Sequence, residues 1–173
     1  MRPRRLIAAH LPGYHLSGEV EADESYFGGI RKGKRGSGSA GKTAGSGLLK
    51  RNGKVRTAIN PNTCAATLTP IIEGRVDPDS IAHTDTFKVY NALGVNGFHH
   101  HRPNHSRLSA EQADHINGTG NFWNQAKRHL RRFSGIRPEH FYWFLKKREW
   151  RFNAGNHREP LSSLIYWDNA AKH

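Results

Sequence analysis

The sequence predicts a mixed α/β domain in which one central sheet is flanked by helices. Three observations lead to this prediction. Short β-prone segments alternate with segments of helical periodicity along most of the chain. Asn52-Gly53 lies between two β-prone runs, which is a strong signal for a hairpin. Two amphipathic helical segments follow, and the order strand, hairpin, helix, strand, helix, strand, helix, helix is typical of a layered α/β domain.

The first half of the chain supplies three strands and one helix of the predicted layout. Residues 18–27 have a weak strand pattern that a Gly-Gly pair closes. Residues 30–46 are rich in Gly, Ser, Lys and Arg and are predicted to form a loop. The runs 47–50 and 54–59 form the predicted hairpin, and a helix is expected over 63–74 although that segment contains a proline.

The second half is predicted to complete the sheet and to add three helices. Residues 80–84 form a short buried strand that ends at Asp85, and a helix over 87–94 and a strand over 97–101 follow. The segment 102–117 is a polar loop. Apolar residues at helical spacing then mark two closing helices: Phe122, Ala126, Leu130 and Phe133 in the first, and Phe141, Phe144, Leu145 and Phe152 in the second.

The charge of the chain points to a polyanionic partner. Its 173 residues suit one domain, and 27 Lys and Arg against 14 Asp and Glu give a net charge of +13. Such an excess repels itself unless a polyanion compensates it, so nucleic acid is the first partner to expect. A generically basic small protein, such as a ribosomal protein, is the alternative at the level of composition.

Cysteine and hydropathy indicate a cytoplasmic protein without a membrane span. Cys64 is the only cysteine, so neither an intramolecular disulfide nor a Cys-rich zinc site can form. No apolar run is long enough to cross a bilayer. The histidines at 99–101 are not expected to hold zinc together, because adjacent residues of a strand point to opposite faces.

The segment Gly36–Thr43 matches the P-loop pattern G-x-x-x-x-G-K-[ST] but lacks its context. A P-loop needs a buried strand before the loop and a helix after it. The preceding residues 30–35 are mostly basic, and 44–47 are poor helix formers, so nucleotide hydrolysis is disfavoured. The loop cations are instead predicted to contact DNA phosphates, with a solvated tip as the alternative: Arg31, Lys32, Lys34, Arg35 and Lys42.

Two carboxylates lie in or next to predicted strands. Asp23 is in the middle of the first strand, and Asp85 directly follows the strand 80–84. Burying an unpaired carboxylate is costly, and a divalent metal ion would remove that cost. Mg²⁺ prefers oxygen ligands, and a pair of such ions can clamp the oxygens of a phosphoryl displacement. An acid that caps a strand-to-helix turn is an equally good explanation of Asp85.

Several motifs occur in the same order as in the DDE transposases of the ISXO-like group of insertion sequences (group fifteen-ninety-five), and the chain resembles these enzymes. The first is Glu21–Gly29, which reads E-A-D-E-S-Y-F-G-G and precedes a basic Gly-rich loop. The others are His83-Thr84-Asp85, Asn104-His105-Ser106, His115-Ile116-Asn117-Gly118, Phe122-Trp123 with Lys127-Arg128, and Arg151-Phe152-Asn153. The resemblance covers a predicted catalytic core at 18–155, between a short lead-in at 1–17 and a C-terminal tail at 156–173.

The resemblance implies an RNase H-like core of the integrase and transposase type that binds Mg²⁺ or Mn²⁺. It implies cleavage of DNA at the ends of an insertion sequence and transfer of the 3′-OH to target DNA, by a nucleoid-associated protein that oligomerises on those ends. Asp23 and Asp85 match the first two catalytic acids, expected on neighbouring strands and close enough to share a metal. Asn153 matches an additional polar position, although a structural Asn near a helix end explains it equally well. Further phosphate contacts are expected from Lys127, Arg128, Arg131 and Arg132.

The sequence departs from the family pattern where the third acid is expected. Gly120, at 120 − 85 = 35 positions after Asp85, stands where the pattern has Glu. Glu149 is a candidate substitute elsewhere in the sequence. Fewer than 20 residues precede the core, where related transposases carry a DNA-binding region. These departures predict a degenerate, catalytically impaired copy, and an inactive DNA-binding remnant is the alternative.

Overall fold

The computed structural model describes most of the predicted core. The described residues are 2–28, 42–84, 99–101, 117–133, 136–155 and 158–170. Asp85 and the predicted helix over 87–94 lie outside them. So do the segment 102–116 and four of the five loop cations, namely Arg31, Lys32, Lys34 and Arg35.

Five strands form one mixed sheet, which confirms the predicted α/β class. They are β1 (Glu19–Phe27), β2 (Thr43–Lys50), β3 (Val55–Asn60), β4 (Ile81–Thr84) and β5 (His99–His101). Their order across the sheet is β3-β2-β1-β4-β5. Strand β2 is antiparallel to both β1 and β3, whereas β1, β4 and β5 are parallel to one another. Strand β1 is therefore the central strand, with an antiparallel neighbour on one side and a parallel neighbour on the other.

The predicted hairpin is confirmed as the connection between β2 and β3. The Lys50 amide donates to the Lys54 carbonyl at 3.0 Å, and the Gly53 amide donates to the Lys50 carbonyl at 2.8 Å. Asn52 has a φ of 55°. Asn tolerates this left-handed conformation better than most residues, which explains why an Asn-Gly pair marks the turn.

Helices cover both faces of the sheet. They are α1 (Arg2–His10), α2 (Ala65–Glu73), α3 (Asn117–Leu130), α4 (Pro138–Ala154) and α5 (Arg158–Ala170). Helices α2, α3 and α4 confirm the predicted segments. Sequence reasoning did not predict α1 and α5, which lie in the lead-in and the tail. Within the described part of the chain, none of the helices has both the length and the apolar character that crossing a membrane requires.

Tertiary contacts explain the two unpredicted helices. Helix α1 packs against α4 and α5 and buries Ile7 completely. The His10 ring stacks on Trp167 of α5 with 4.6 Å between the ring centroids. Because α1 has only nine residues, three of them arginines, an isolated helix of this length is marginal in water, and burial against other helices stabilises it.

Two apolar clusters lie on opposite faces of the sheet. Helix α2 covers the first face, where the cluster includes Leu16, Val20, Ala22, Leu48, Leu68, Ile72, Val76 and Ala82. Helices α3 and α4 cover the second face, where it includes Leu49, Val55, Phe122, Trp123, Ala126, Leu130, Phe141 and Leu145. Side chains alternate along a strand, and Val20 and Ala22 belong to the first face. Glu21 and Asp23 therefore lie on the face that α3 covers.

Two glycines offer a matched test of this packing. A Cβ at Gly47 would lie 2.7 Å from Cζ2 of the buried Trp123, whereas a Cβ at Gly120 would meet no heavy atom of the described residues within 4 Å. We expect Gly47→Ala to lower the free energy of unfolding by about 1–3 kcal/mol through overpacking. Gly120→Ala should raise it by up to about 1 kcal/mol, because alanine is the better helix former. Urea unfolding followed by tryptophan fluorescence measures both, and equal stabilities would contradict the packing of α3 on β2.

Candidate functional site

Asp23 lies on the central strand at the place that the sequence predicted. It is half-buried, and its Oδ1 accepts a hydrogen bond of 2.8 Å from the Glu24 amide. Strand β1 pairs in parallel with β4, and the last pair in their register is Ala22 with Thr84. Asp23 and Asp85 are each the next residue after that pair. The predicted neighbouring strands are thus confirmed, whereas the distance between the two carboxylates stays a prediction because Asp85 is outside the described residues.

A buried carboxylate beside Asp23 fixes the first turn of α3 to the sheet. Glu21 is 4% exposed, and its Oε2 accepts hydrogen bonds from the amide and the Oγ1 of Thr119, both at 3.0 Å. The first amides of a helix lack intrahelical acceptors, and the helix dipole favours a negative charge there. Glu21 therefore acts as a cap that a distant strand provides, which we call the Glu21–Thr119 clamp.

The clamp requires a glycine at the preceding position of α3. A Cβ at Gly118 would lie 2.4 Å from Cδ2 of Leu49 and 3.0 Å from Oε2 of Glu21. Sequence reasoning quoted Glu21 and Gly118 within motifs but assigned neither a role. The i, i+2 spacing of Glu21 and Asp23 is a signal that could have placed both acids on one face.

Gly120 follows the clamp directly and leaves space around its Cα. Thr119 is fully buried, whereas Gly120 is partly exposed. Within the described part of the chain, no heavy atom lies within 4 Å of an added Cβ at Gly120. The described residues therefore do not obstruct a Cβ at the position where the resemblance predicts Glu.

A second polar network ties β4 to the start of β1. The Nε2 atom of His83 lies 3.0 Å from Oε2 of Glu19, which also forms an ion pair with Arg51 at the hairpin turn. His83 is the register partner of Glu21. Thus the His-Thr-Asp motif contributes a histidine, two residues before Asp85, that links β4 to β1.

Among the described residues, no group of three His, Cys, Asp or Glu side chains is arranged to hold a metal ion. Asp23 is the member of the predicted metal-binding pair that the structure describes. Glu21, the nearest acid on the same face of β1, is already occupied by two hydrogen bonds from Thr119. Its carboxylate caps the N-terminus of helix α3.

Asn153 and Glu149 dock α4 on the outer strand β3 and do not reach Asp23. The Oδ1 of Asn153 accepts from the Val55 amide at 2.7 Å, and its Nδ2 donates to the Val55 carbonyl at 2.8 Å. Oε2 of Glu149 accepts from the amide and the Oγ1 of Thr57 at 2.9 and 2.7 Å. Two strand spacings, about 10 Å, separate β3 from β1. These hydrogen bonds support the structural explanation of Asn153, and they hold the Glu149 carboxylate at β3.

The predicted phosphate-binding cations of α3 are accessible. Lys127, Arg128, Arg131 and Arg132 are all exposed and lie in the last turn of α3 or directly after it. Lys42 directly precedes β2 and is half-buried. Because Thr43 begins a strand, the Gly-Lys-Thr sequence leads into β2 and lacks the helix that a P-loop requires.

A buried ion pair on α4 gives a test of the structural role of Glu149. Nζ of Lys146 lies 2.6 Å from Oε2 of Glu149, and burial lowers the pKa of Lys146 while Glu149 opposes that shift. Glu149→Ala would leave Lys146 buried without its partner, so we expect the free energy of unfolding to fall by about 3–5 kcal/mol. The control Glu139→Ala, which removes an exposed partner of Arg137, should cost at most about 1 kcal/mol. Urea unfolding measures both, and similar small losses would refute the structural assignment.

Comparisons with known proteins support the family resemblance that the sequence predicted. A family model described as the ISXO2-like transposase domain matches residues 15–153. An uncharacterized transposase-like protein of Haemophilus influenzae is 53% identical over 111 residues, which are 64% of this chain and 90% of that protein. The matched range extends from the segment before β1 to Asn153 in α4. The chain therefore belongs to the family of ISXO2-like transposase domains.

Proposed function

We propose that this chain is a DNA strand-transfer domain of an insertion sequence with an RNase H-like fold. In this proposal Asp23 in the middle of β1 and Asp85 directly after the adjacent parallel strand β4 hold Mg²⁺ or Mn²⁺. The observation that carries the proposal is the register of β1 and β4, in which both aspartates directly follow the pair Ala22 and Thr84. Membership of a transposase family supports the substrate class.

The chemistry of the residues present fits a hard divalent cation. Asp23 supplies carboxylate oxygens, the ligands that Mg²⁺ prefers, from a partly exposed position of the central strand. When bound, the metal would stabilise negative charge on the phosphate and activate the attacking oxygen. The residues of the chain itself position the metal-binding carboxylate and helix α3. The Glu24 amide orients Asp23, and the Glu21–Thr119 clamp holds α3 against the same strand.

The proposed reaction has two displacements at phosphorus. Water attacks the phosphodiester at an element end, so that a P–O bond forms and the 3′-oxygen leaves as a hydroxyl. That 3′-OH then attacks a target phosphodiester, joins the strands and releases a target 3′-OH. Both steps need the attacking and leaving oxygens in line, so loss of one positioning group slows both.

Gly120 is the feature that we propose impairs this copy. It provides no side chain in the first turn of α3, where the family pattern has a carboxylate, and only two predicted acids remain. A misplacement of catalytic groups by about 1 Å can reduce a rate about 100-fold. The second candidate function, DNA binding without catalysis, is favoured by the same glycine and by the net charge of +13.

Restoring the missing carboxylate tests the proposed reaction. Gly120→Glu should raise Mg²⁺-dependent cleavage or strand transfer on a pre-cut DNA end, because the open space around Gly120 can accept the side chain. Gly120→Gln has nearly the same size without the charge and is the matched control. Adding Asp85→Asn to Gly120→Glu should abolish the gain. Robust Asp85-dependent cleavage by the unmodified chain would show that Gly120 does not limit the reaction.

DNA binding is expected to be independent of sequence and sensitive to salt. If the cations neutralise about six phosphates, the logarithm of the affinity should fall with the logarithm of salt concentration at a slope near −5. Replacing Lys127, Arg128, Arg131 and Arg132 with Gln should make the slope shallower by about 3–4. Fluorescence anisotropy on duplexes of unrelated sequence measures both values. A flat salt response, or no binding at low salt, would exclude DNA as the partner.

A further inference from the structure

A second group of cations lies where α1, the end of α3 and α4 meet. Its members, which we call the junction cluster, are Arg4, His129, Lys147, Arg148 and Arg151. The charges that act on Lys147 come from Arg151, Arg4 and Arg148. Those that act on His129 come from Arg148, Arg132, Arg151 and Arg128. The junction cluster is thus continuous with the exposed arginines after α3.

The charges in the junction cluster repel one another. Burial lowers the pKa of Lys147 and the pKa of His129, and the neighbouring arginines lower both further. Burial and Arg151 lower the pKa of Arg148 in the same direction. For these three groups, every charged neighbour that shifts the pKa within the described part of the chain is a cation. The described part of the fold therefore concentrates positive charge at this junction, and none of its carboxylates shifts the pKa of these three groups.

Aromatic rings hold the Arg4 side chain of the junction cluster. The guanidinium carbon of Arg4 lies 3.9 Å from the ring centroid of Phe144 and 5.4 Å from that of Phe133. The Nε atoms of Arg4 and Arg148 are buried and have no hydrogen-bond partner among the described residues. Buried polar groups normally have hydrogen-bond partners. These unpaired donors therefore indicate that the charge of this surface does not serve the internal stability of the domain.

We propose that the junction cluster binds the phosphate backbone of duplex DNA at a place separate from the reacting phosphate. This inference rests on the proposed function and adds a second DNA contact to it. His129 is nine residues beyond Gly120 on α3, which is about 14 Å along the helix axis or about four base-pair rises of duplex. One phosphate cannot contact both places. A regular polyanion such as DNA can contact both places, and its phosphates compensate several cations at once.

The test is to remove two charges of the junction cluster. In the full chain, Arg148→Gln with Arg151→Gln should remove about two phosphate contacts, so the salt slope of DNA binding becomes shallower by about 1.8. At physiological salt the affinity should fall roughly 10- to 30-fold. Fluorescence anisotropy on a duplex of unrelated sequence gives both quantities. The matched control, Lys50→Gln with Lys54→Gln, removes the same charge from exposed positions of the hairpin and should bind like the unmodified chain.

Further variants distinguish a loss of charge from a loss of folding. Arg148→Lys with Arg151→Lys retains the charge and should retain most of the affinity. If thermal melting shows that the double Gln variant is unfolded, the exposed Arg151→Gln alone should still make the slope shallower by about 0.9. An unchanged slope, an equal loss in the hairpin control, or equally strong competition by polyglutamate would overturn the inference. Absence of any DNA binding by the unmodified chain would instead overturn the proposed function.

Discussion

The hydrogen bonds between Glu21 and Thr119 are the contact on which the candidate site depends. They join a buried carboxylate of the central strand to the first turn of α3, across 98 positions of sequence. A carboxylate buried at that depth is tolerated because it accepts two hydrogen bonds and meets the positive end of a helix dipole. The same contact sets how close Gly120 lies to the strand that carries Asp23, and it leaves no room for a side chain at Gly118.

The opposite end of the α-helical layer is fixed by different means. Asn153 pairs with the backbone of Val55, and the Lys146–Glu149 pair bonds to Thr57, so α4 is attached to β3 by polar groups at two places. Phe122, Phe141 and Leu145 belong to the apolar cluster that α3 and α4 form with the sheet. In this arrangement the Glu149 carboxylate is occupied at the outer strand β3.

The acidic and basic side chains of the described residues have different surroundings. Glu21 and Glu149 are buried as structural acids, and Glu19 is tied to His83 and Arg51. The exposed cations at the end of α3 continue into the junction cluster, where burial and neighbouring cations lower the pKa of His129, Lys147 and Arg148. A domain that uses its acids internally and groups its cations outside is suited to a polyanionic partner whether or not it retains catalysis.

The sequence by itself determined the elements whose signals are local. Hydrophobic periodicity located α3 and α4, the Asn52-Gly53 turn located the hairpin, and the order of motifs identified the family and the absence of a carboxylate at Gly120. Helices α1 and α5, the clamp of Glu21, the docking role of Asn153 and the junction cluster were decided only by the tertiary structure. The same physical reason explains why the sequence did not predict these features. Each depends on burial or on charges brought together from distant parts of the chain, which no local pattern records.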